Sequence, residues 1–167
     1  METVFFKGTE CHTTGDMPAV GTQAPAFTLI TPGLAEITEK TYAGKRVVLN
    51  IFPSIDTEVC ATSVRRFNKE AASLPDTVVL AVSMDLPFAA GRFCTANNIE
   101  NVTPASAFRE ENFEHNYGLK MADGPLKGLL ARAVIIIDRD GKIIYRELVD
   151  DITHEPDYAA ALSVLQR

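Results

Sequence analysis

The sequence predicts an α/β protein built on one central mixed β-sheet flanked by helices, with a small β-hairpin ahead of it. Three observations carry this expectation. The apolar runs "KRVVLNIF" (45–52) and "TVVLAVSMD" (77–85) suit strands covered on both faces, and each is followed by a segment with helical features. The run "LLARAVIIIDRDGKIIYREL" (129–148) reads as two β-branched strands joined through Asp140-Gly141, a hairpin turn dipeptide. Strand and helix alternating along the chain imply parallel pairing early, and the hairpin implies antiparallel pairing late.

Taken in order, "TVFFKG" (3–8) and "ECHTT" (10–14) form the opening hairpin, and the Pro/Gly-bearing connector "GDMPAVGTQAP" (15–25) leads to a short strand "AFTLIT" (26–31). After "KRVVLNIF", the less polar residues Cys60, Val64, Phe67, Ala71 and Leu74 recur at steps of four, three, four and three, while Arg65, Arg66, Lys69 and Glu70 fall off that stripe. This spacing predicts a helix from Val59 to Leu74 with Cys60 on its buried side. "LPFAAGRFCTANN" (86–98) is a second helix, with Pro87 suited to its first turn. A short strand near "NVTPASAF" (101–108), a short helix in "ENFEHNYG" (111–118) and a closing helix in "EPDYAAALSVLQ" (155–166) complete the chain.

Composition narrows the function. At 167 residues and 46% apolar content, the chain supports one core and one domain spanning 1–167. Sixteen basic against 22 acidic residues give a net charge of −6, which argues against a nucleic-acid partner. The amino-terminal stretch lacks the charged start and long apolar core of a signal peptide, and no run reaches membrane-spanning length, so a cytoplasmic location without membrane contact is expected. Cys11, Cys60 and Cys94 are too few for a disulfide-stapled scaffold, and no pair is spaced C-x-x-C, which weakens a general disulfide reductase. His12, His115 and His154 are scattered without ligand spacing, so no metal site is expected.

Chemistry concentrates in "PSIDTEVC" (53–60), at a strand-to-helix junction. With Thr57 as N-cap, Cys60 is the third helical residue, facing unpaired backbone N–H groups and the positive end of the helix dipole. That setting acidifies a thiol, and the Thr57 hydroxyl is placed to donate to the sulfur or to an incoming oxygen. The plainer alternative is a buried cysteine acting as a small apolar filler. Pro53 either shields the thiolate or merely punctuates the strand end. Arg132 interrupts an apolar strand run and needs an anionic partner, which is either a thiolate, a carboxylate or, at an exposed strand start, water. Cys94 sits in a helix weakened by Gly91, which suits a thiol that must move, although it could also simply pack beside Phe93. Cys11 has no helix end near it and reads as packing. Cys60 and Arg66 also satisfy Cys-x5-Arg, the spacing of cysteine-dependent phosphatases, but the intervening "ATSVR" lacks the glycines of an anion-cradling loop.

"PSIDTEVC" resembles the Pro-x3-Thr-x2-Cys motif of peroxiredoxins. Cys94, "GLLARAVIIIDRDG" and "THEPDYAAAL" are similar to the atypical two-cysteine, thiol peroxidase branch. The likeness extends over nearly the whole chain. It implies a thioredoxin-like fold, with Cys60 the peroxidatic cysteine, Cys94 the resolving cysteine of a Cys60–Cys94 redox disulfide, and Thr57, Arg132 and Pro53 around them. It further implies reduction of hydrogen peroxide or organic hydroperoxides, recycling by thioredoxin, a homodimer and no bound cofactor. Cys11 lies outside this two-thiol pattern, leaving open a side disulfide or glutathione adduct. A redox sensor using the same disulfide as a switch is the alternative. The width of the peroxide pocket is expected to depend on packing around Phe52, Phe88, Phe93 and residues of a partner chain.

Overall fold

The structure, a computed structural model, describes residues 1–71, 74–109 and 111–167. The opening hairpin pairs β1 (Thr3–Phe6) with β2 (Thr9–His12). Its tight turn places both Lys7 (φ 52°) and Gly8 (φ 84°) in the left-handed region, the geometry that matches strand twist in two-residue hairpins. Next come β3 (Thr28–Ile30), β4 (Glu36–Thr38), β5 (Arg46–Ile51), α1 (Glu58–Glu70), β6 (Thr77–Ser83), α2 (Pro87–Ala96) and β7 (Val102–Ser106). The chain ends with α3 (Asn112–Tyr117), β8 (Ala133–Ile137), β9 (Ile143–Leu148) and α4 (Tyr158–Leu165). β3 to β9 form one seven-stranded mixed sheet in the order β4-β3-β7-β6-β5-β8-β9. β5, β6 and β7 run parallel, and the remaining pairings are antiparallel.

Both faces of this sheet are covered, which is why its central strands read as largely apolar runs. On one face Leu49, Ile51, Leu80, Val82 and Ile135 pack with the hairpin residues Val4 and Cys11 and with Phe113 and Tyr117 of α3. On the other, Val48, Val79, Ala81, Val134 and Ile136 pack against Cys60, Val64 and Phe67 of α1 and Tyr158, Ala161 and Leu165 of α4. Each buried Val, Leu, Ile or Phe among them contributes roughly 1.5–3 kcal/mol of apolar burial.

Three local expectations are corrected. The strand β4 was not expected; its three residues carry one buried apolar side chain, Ile37, too little for a periodic signal. The first helix begins at Glu58, one residue before the expected Val59, and closes at Glu70, and residues 72 and 73 of the expected Val59–Leu74 span lie outside the described residues. At the β8–β9 turn only Gly141 takes positive φ, 86°. The Gly141 N–H donates to the Asp138 carbonyl and the Asp138 N–H to the Lys142 carbonyl, so the connection is a longer turn closed by a glycine bulge rather than a two-residue one.

The chain fills β5, β6 and β7 side by side and then crosses back to lay β8 on the other flank of β5. This reversal lies at the carboxyl end of β5, where open α/β sheets form ligand crevices. The last residue pair there is Ile51 opposite Ala133. "PSIDTEVC" follows directly on one strand and Arg132 directly precedes the other.

Candidate active site

The junction is folded by its own polar groups. The Phe52 N–H still donates to Val82 across the parallel ladder (3.0 Å), and Pro53, lacking an N–H, ends the pairing. The Ser54 carbonyl then accepts from both the N–H (3.2 Å) and the hydroxyl (3.1 Å) of Thr57. Thr57 is the N-cap of α1, and its Oγ1 accepts from the Cys60 N–H at a long 3.4 Å. The helix is also tied to the sheet from below. The Cys60 carbonyl accepts from the Ser63 hydroxyl (2.8 Å), and Ser63 Oγ accepts from Asn50 Nδ2 of β5 (3.1 Å).

Cys60, fully buried at the third position of α1, has its sulfur against Arg132. Arg132 is 2% exposed and holds two fixed contacts: Nε donates to the Ile152 carbonyl (2.8 Å), and Nη2 donates to Cys60 Sγ (3.2 Å). Its Nη1 is buried without a partner among the described residues. A buried guanidinium nitrogen in that state has hydrogen-bonding capacity to offer a ligand. Arg132 lines a cleft of about 290 Å³ together with Pro53, Thr57 and Val59 on one side and Phe6, Leu129 and Ile152 on the other. The cleft combines a fixed cation, a helix start and an apolar wall, suited to a small polar head carrying an apolar tail, and the buried Cys60 sulfur lies behind it against Arg132.

The hairpin wall of this cleft is anchored by Asp151. Its carboxylate accepts from the Thr153 hydroxyl (2.6 Å) and N–H (2.9 Å), and from the N–H groups of Gly8 (3.0 Å) and Lys7 (3.4 Å). These bonds, those from Thr153 above all, hold the carboxyl down at about 2.

Of the residues expected from sequence, Cys60, Thr57, Pro53 and Arg132 come together, and Cys94 does not join them. Cys94 is partly buried on α2, at the edge of the α1 face of the core, and opens onto a separate groove with Pro32, Phe88 and Thr95. Burial pushes its thiol up to about 11. All three cysteines are free thiols. The Thr57 hydroxyl donates to Ser54 rather than to the sulfur, so it must rotate to reach an incoming oxygen.

Cys11 is 2% exposed, its thiol raised by burial and by Asp123, Asp151 and Glu10, which fits a packing role. Arg66 faces away from Cys60, binding Glu70 through both Nε (3.1 Å) and Nη2 (3.2 Å) and lying over the Tyr158 ring. The phosphatase spacing therefore has no phosphate loop behind it. Among the described residues no group of three His, Cys, Asp or Glu side chains is placed to hold a metal ion.

The expected aromatic walls are elsewhere: Phe52 is core, Phe88 is 67% exposed, and Phe93 packs beneath Arg65. The aromatic residue lining the Arg132 cleft is Phe6, brought from the hairpin. The Ile152 carbonyl and the Asn50–Ser63 pair were also missed. A main-chain acceptor leaves no mark in sequence, whereas the lone Asn inside "RVVLNIF" was a polar signal that could have been read.

A family model described as Redoxin matches residues 19–162. The chain is 54% identical over 165 residues to the "Thiol peroxidase" of Corynebacterium glutamicum, covering 99% of both chains. It is 53% identical over 165 residues to that of Mycobacterium tuberculosis, again covering 99% of each. Among solved structures, a peroxiredoxin-like protein from Aquifex aeolicus superposes with a TM-score of 0.94 at 41% identity, over 99% of this chain and 96% of that one.

Proposed function

The chain belongs to the redoxin family and is an enzyme of its thiol peroxidase type, and from that premise we propose that Cys60 is its peroxidatic cysteine, working against Arg132. The observation that carries this reading is the 3.2 Å contact from Arg132 Nη2 to the buried Cys60 sulfur, beside a free Nη1 and an apolar cleft. The Cys60 thiolate attacks the terminal oxygen of a hydroperoxide. A sulfur–oxygen bond forms as the O–O bond breaks, leaving a Cys60 sulfenic acid, and the departing oxygen takes up a proton as water or alcohol. The guanidinium and the Thr57 hydroxyl, once turned from Ser54, stabilise charge on that oxygen, while Pro53 closes the cleft over the sulfur. Hydrogen peroxide and organic hydroperoxides are both substrates, the apolar lining favouring the latter.

In the second step the Cys94 sulfur displaces hydroxide from the sulfenic acid, giving an intramolecular Cys60–Cys94 disulfide and water. Disulfide formation needs Cα atoms within about 7 Å, so α2 has to open locally. Its features support that: no side chain caps its start, and Gly91 interrupts its middle. Thioredoxin, in the cytoplasm, returns the two thiols. The exposed Leu34, Leu86, Phe88 and Phe108 supply apolar surface consistent with a homodimer.

The test is peroxide consumption in a coupled thioredoxin assay. Wild type should turn over many equivalents and Cys60→Ser none. Activity retained by Cys60→Ser would refute the assignment, and a single equivalent consumed by wild type would favour a redox sensor.

A further inference from the structure

We propose that Asp85 is a positioning residue for Cys60, holding the Pro53–Thr57 loop from the segment that leads into the Cys94 helix; this rests on the roles proposed above. Asp85 lies between the end of β6 at Ser83 and Pro87, the first residue of α2. A carboxylate in that place could cap α2, yet the N-cap of α2 is Leu86 and no side chain bonds to the helix start. The Asp85 carboxylate instead reaches across to the junction. Oδ1 accepts from the Ser54 hydroxyl (2.9 Å), and Oδ2 accepts from the Ile55 N–H (2.7 Å) and from the Ser83 hydroxyl (2.9 Å). Asp85 is itself held, since its N–H donates to Ser83 Oγ (3.2 Å) and its carbonyl accepts from the Ser106 hydroxyl on β7.

The consequence passes through the backbone to the sulfur. Ser54 and Ile55 are fixed by one carboxylate rooted in two strands. The Ser54 carbonyl holds Thr57, and Thr57 caps α1 through the Cys60 N–H. Only three residues separate Thr57 from Cys60, so a shift at Ser54, passed on through the Thr57 N–H, moves the sulfur relative to Arg132, whose position is set separately by Ile152. The same residue anchors the chain entering α2. That helix can therefore unwind around Cys94 while its entry, and the Cys60 loop tied to that entry, stay in place.

The role needs hydrogen-bond acceptors rather than a charge. In Asp85→Asn the amide oxygen, in the place of Oδ2, still accepts from the Ile55 N–H and the Ser83 hydroxyl, and the Ser54 hydroxyl can turn to accept from the amide nitrogen in the place of Oδ1. Asp85→Ala removes every one of these bonds. The measurement is the single-turnover rate of Cys60 oxidation by hydrogen peroxide, followed together with thermal unfolding for each variant. Small displacements at a reacting group cost up to about a hundredfold. Asp85→Ala is expected to slow oxidation at least about tenfold, Ser54→Ala to slow it by less, and Asp85→Asn to stay within about threefold of wild type.

A lowered melting point in Asp85→Ala with an unchanged oxidation rate would reduce Asp85 to a structural residue. Equal slowing in Asp85→Asn would assign the effect to charge and overturn the positioning role. If Asp85→Ala does not fold, the comparison of Ser54→Ala with wild type decides, and an unchanged rate there overturns the proposal. Failure of the underlying reading is separable, because it appears as peroxidase activity surviving in Cys60→Ser.

Discussion

Arg132 Nη2 and Cys60 Sγ lie 3.2 Å apart, although 72 positions separate the two residues in the chain, and both side chains are buried. The contact exists because β5 and β8 pair antiparallel, so the loop that leaves the end of β5 for the start of α1 lies beside Arg132, the residue before β8.

Arg132→Lys keeps a positive charge but loses the planar fork that binds the Ile152 carbonyl and the sulfur together. Oxidation of Cys60 by peroxide, followed by stopped flow, should fall by roughly two to three orders of magnitude, the usual cost of removing an oriented donor at a developing charge. Near wild-type turnover would remove Arg132 from the mechanism.

The thiol of Cys94 titrates at about 11, above its ordinary value, so its thiolate is scarce at neutral pH and grows as pH rises toward that value. Alkylation of Cys94 in the reduced protein should be slow at neutral pH and quicken as pH rises toward that value, with mild denaturant accelerating it further. Peptide mapping after one equivalent of peroxide should then link Cys60 to Cys94 within one chain and leave Cys11 free. A linkage through Cys11 would overturn the pairing.

Phe6→Ala opens the hairpin wall of the cleft without touching Arg132 or Thr57. Loss of that apolar contact should lower kcat/KM for an aryl or alkyl hydroperoxide by about tenfold. The value for hydrogen peroxide, which has no apolar tail, should hardly move. Equal losses for both substrates would place the organic group elsewhere.

Asp151 has a folded pKa of about 2, below the roughly 3.9 of an unfolded aspartate. A depressed carboxylate contributes stability that is fully present above the unfolded value and is lost as pH falls through the folded one. Thermal unfolding of wild type and Asp151→Asn should therefore differ most above about pH 4 and converge toward pH 2. A constant gap across that range would show that the carboxylate charge is not what anchors the Lys7-Gly8 turn.

Much of the site was readable because it is local. Thr57 three residues before Cys60, after an apolar strand and Pro53, already describes a thiol at a capped helix start, and the structure keeps that geometry. Arg132 was conspicuous as a guanidinium inside an apolar run, though its partner could not be named from spacing. Phe6, the Ile152 carbonyl and Asp85 escaped because each acts across the fold, and nothing near them in sequence marks the contact.

The sequence by itself determined the elements: which runs are strands buried on both faces, which helix carries Cys60, and that its cap is Thr57. Those follow from periodicity and from side chains that bond within three or four residues. Only the tertiary structure decided that Arg132 meets Cys60, that the hairpin supplies Phe6, and that Cys94 stands apart with its thiol buried. The physical reason is sheet order. Strand pairing is set by the packing of two covered faces, and it alone places chain ends that are remote in sequence within hydrogen-bonding distance.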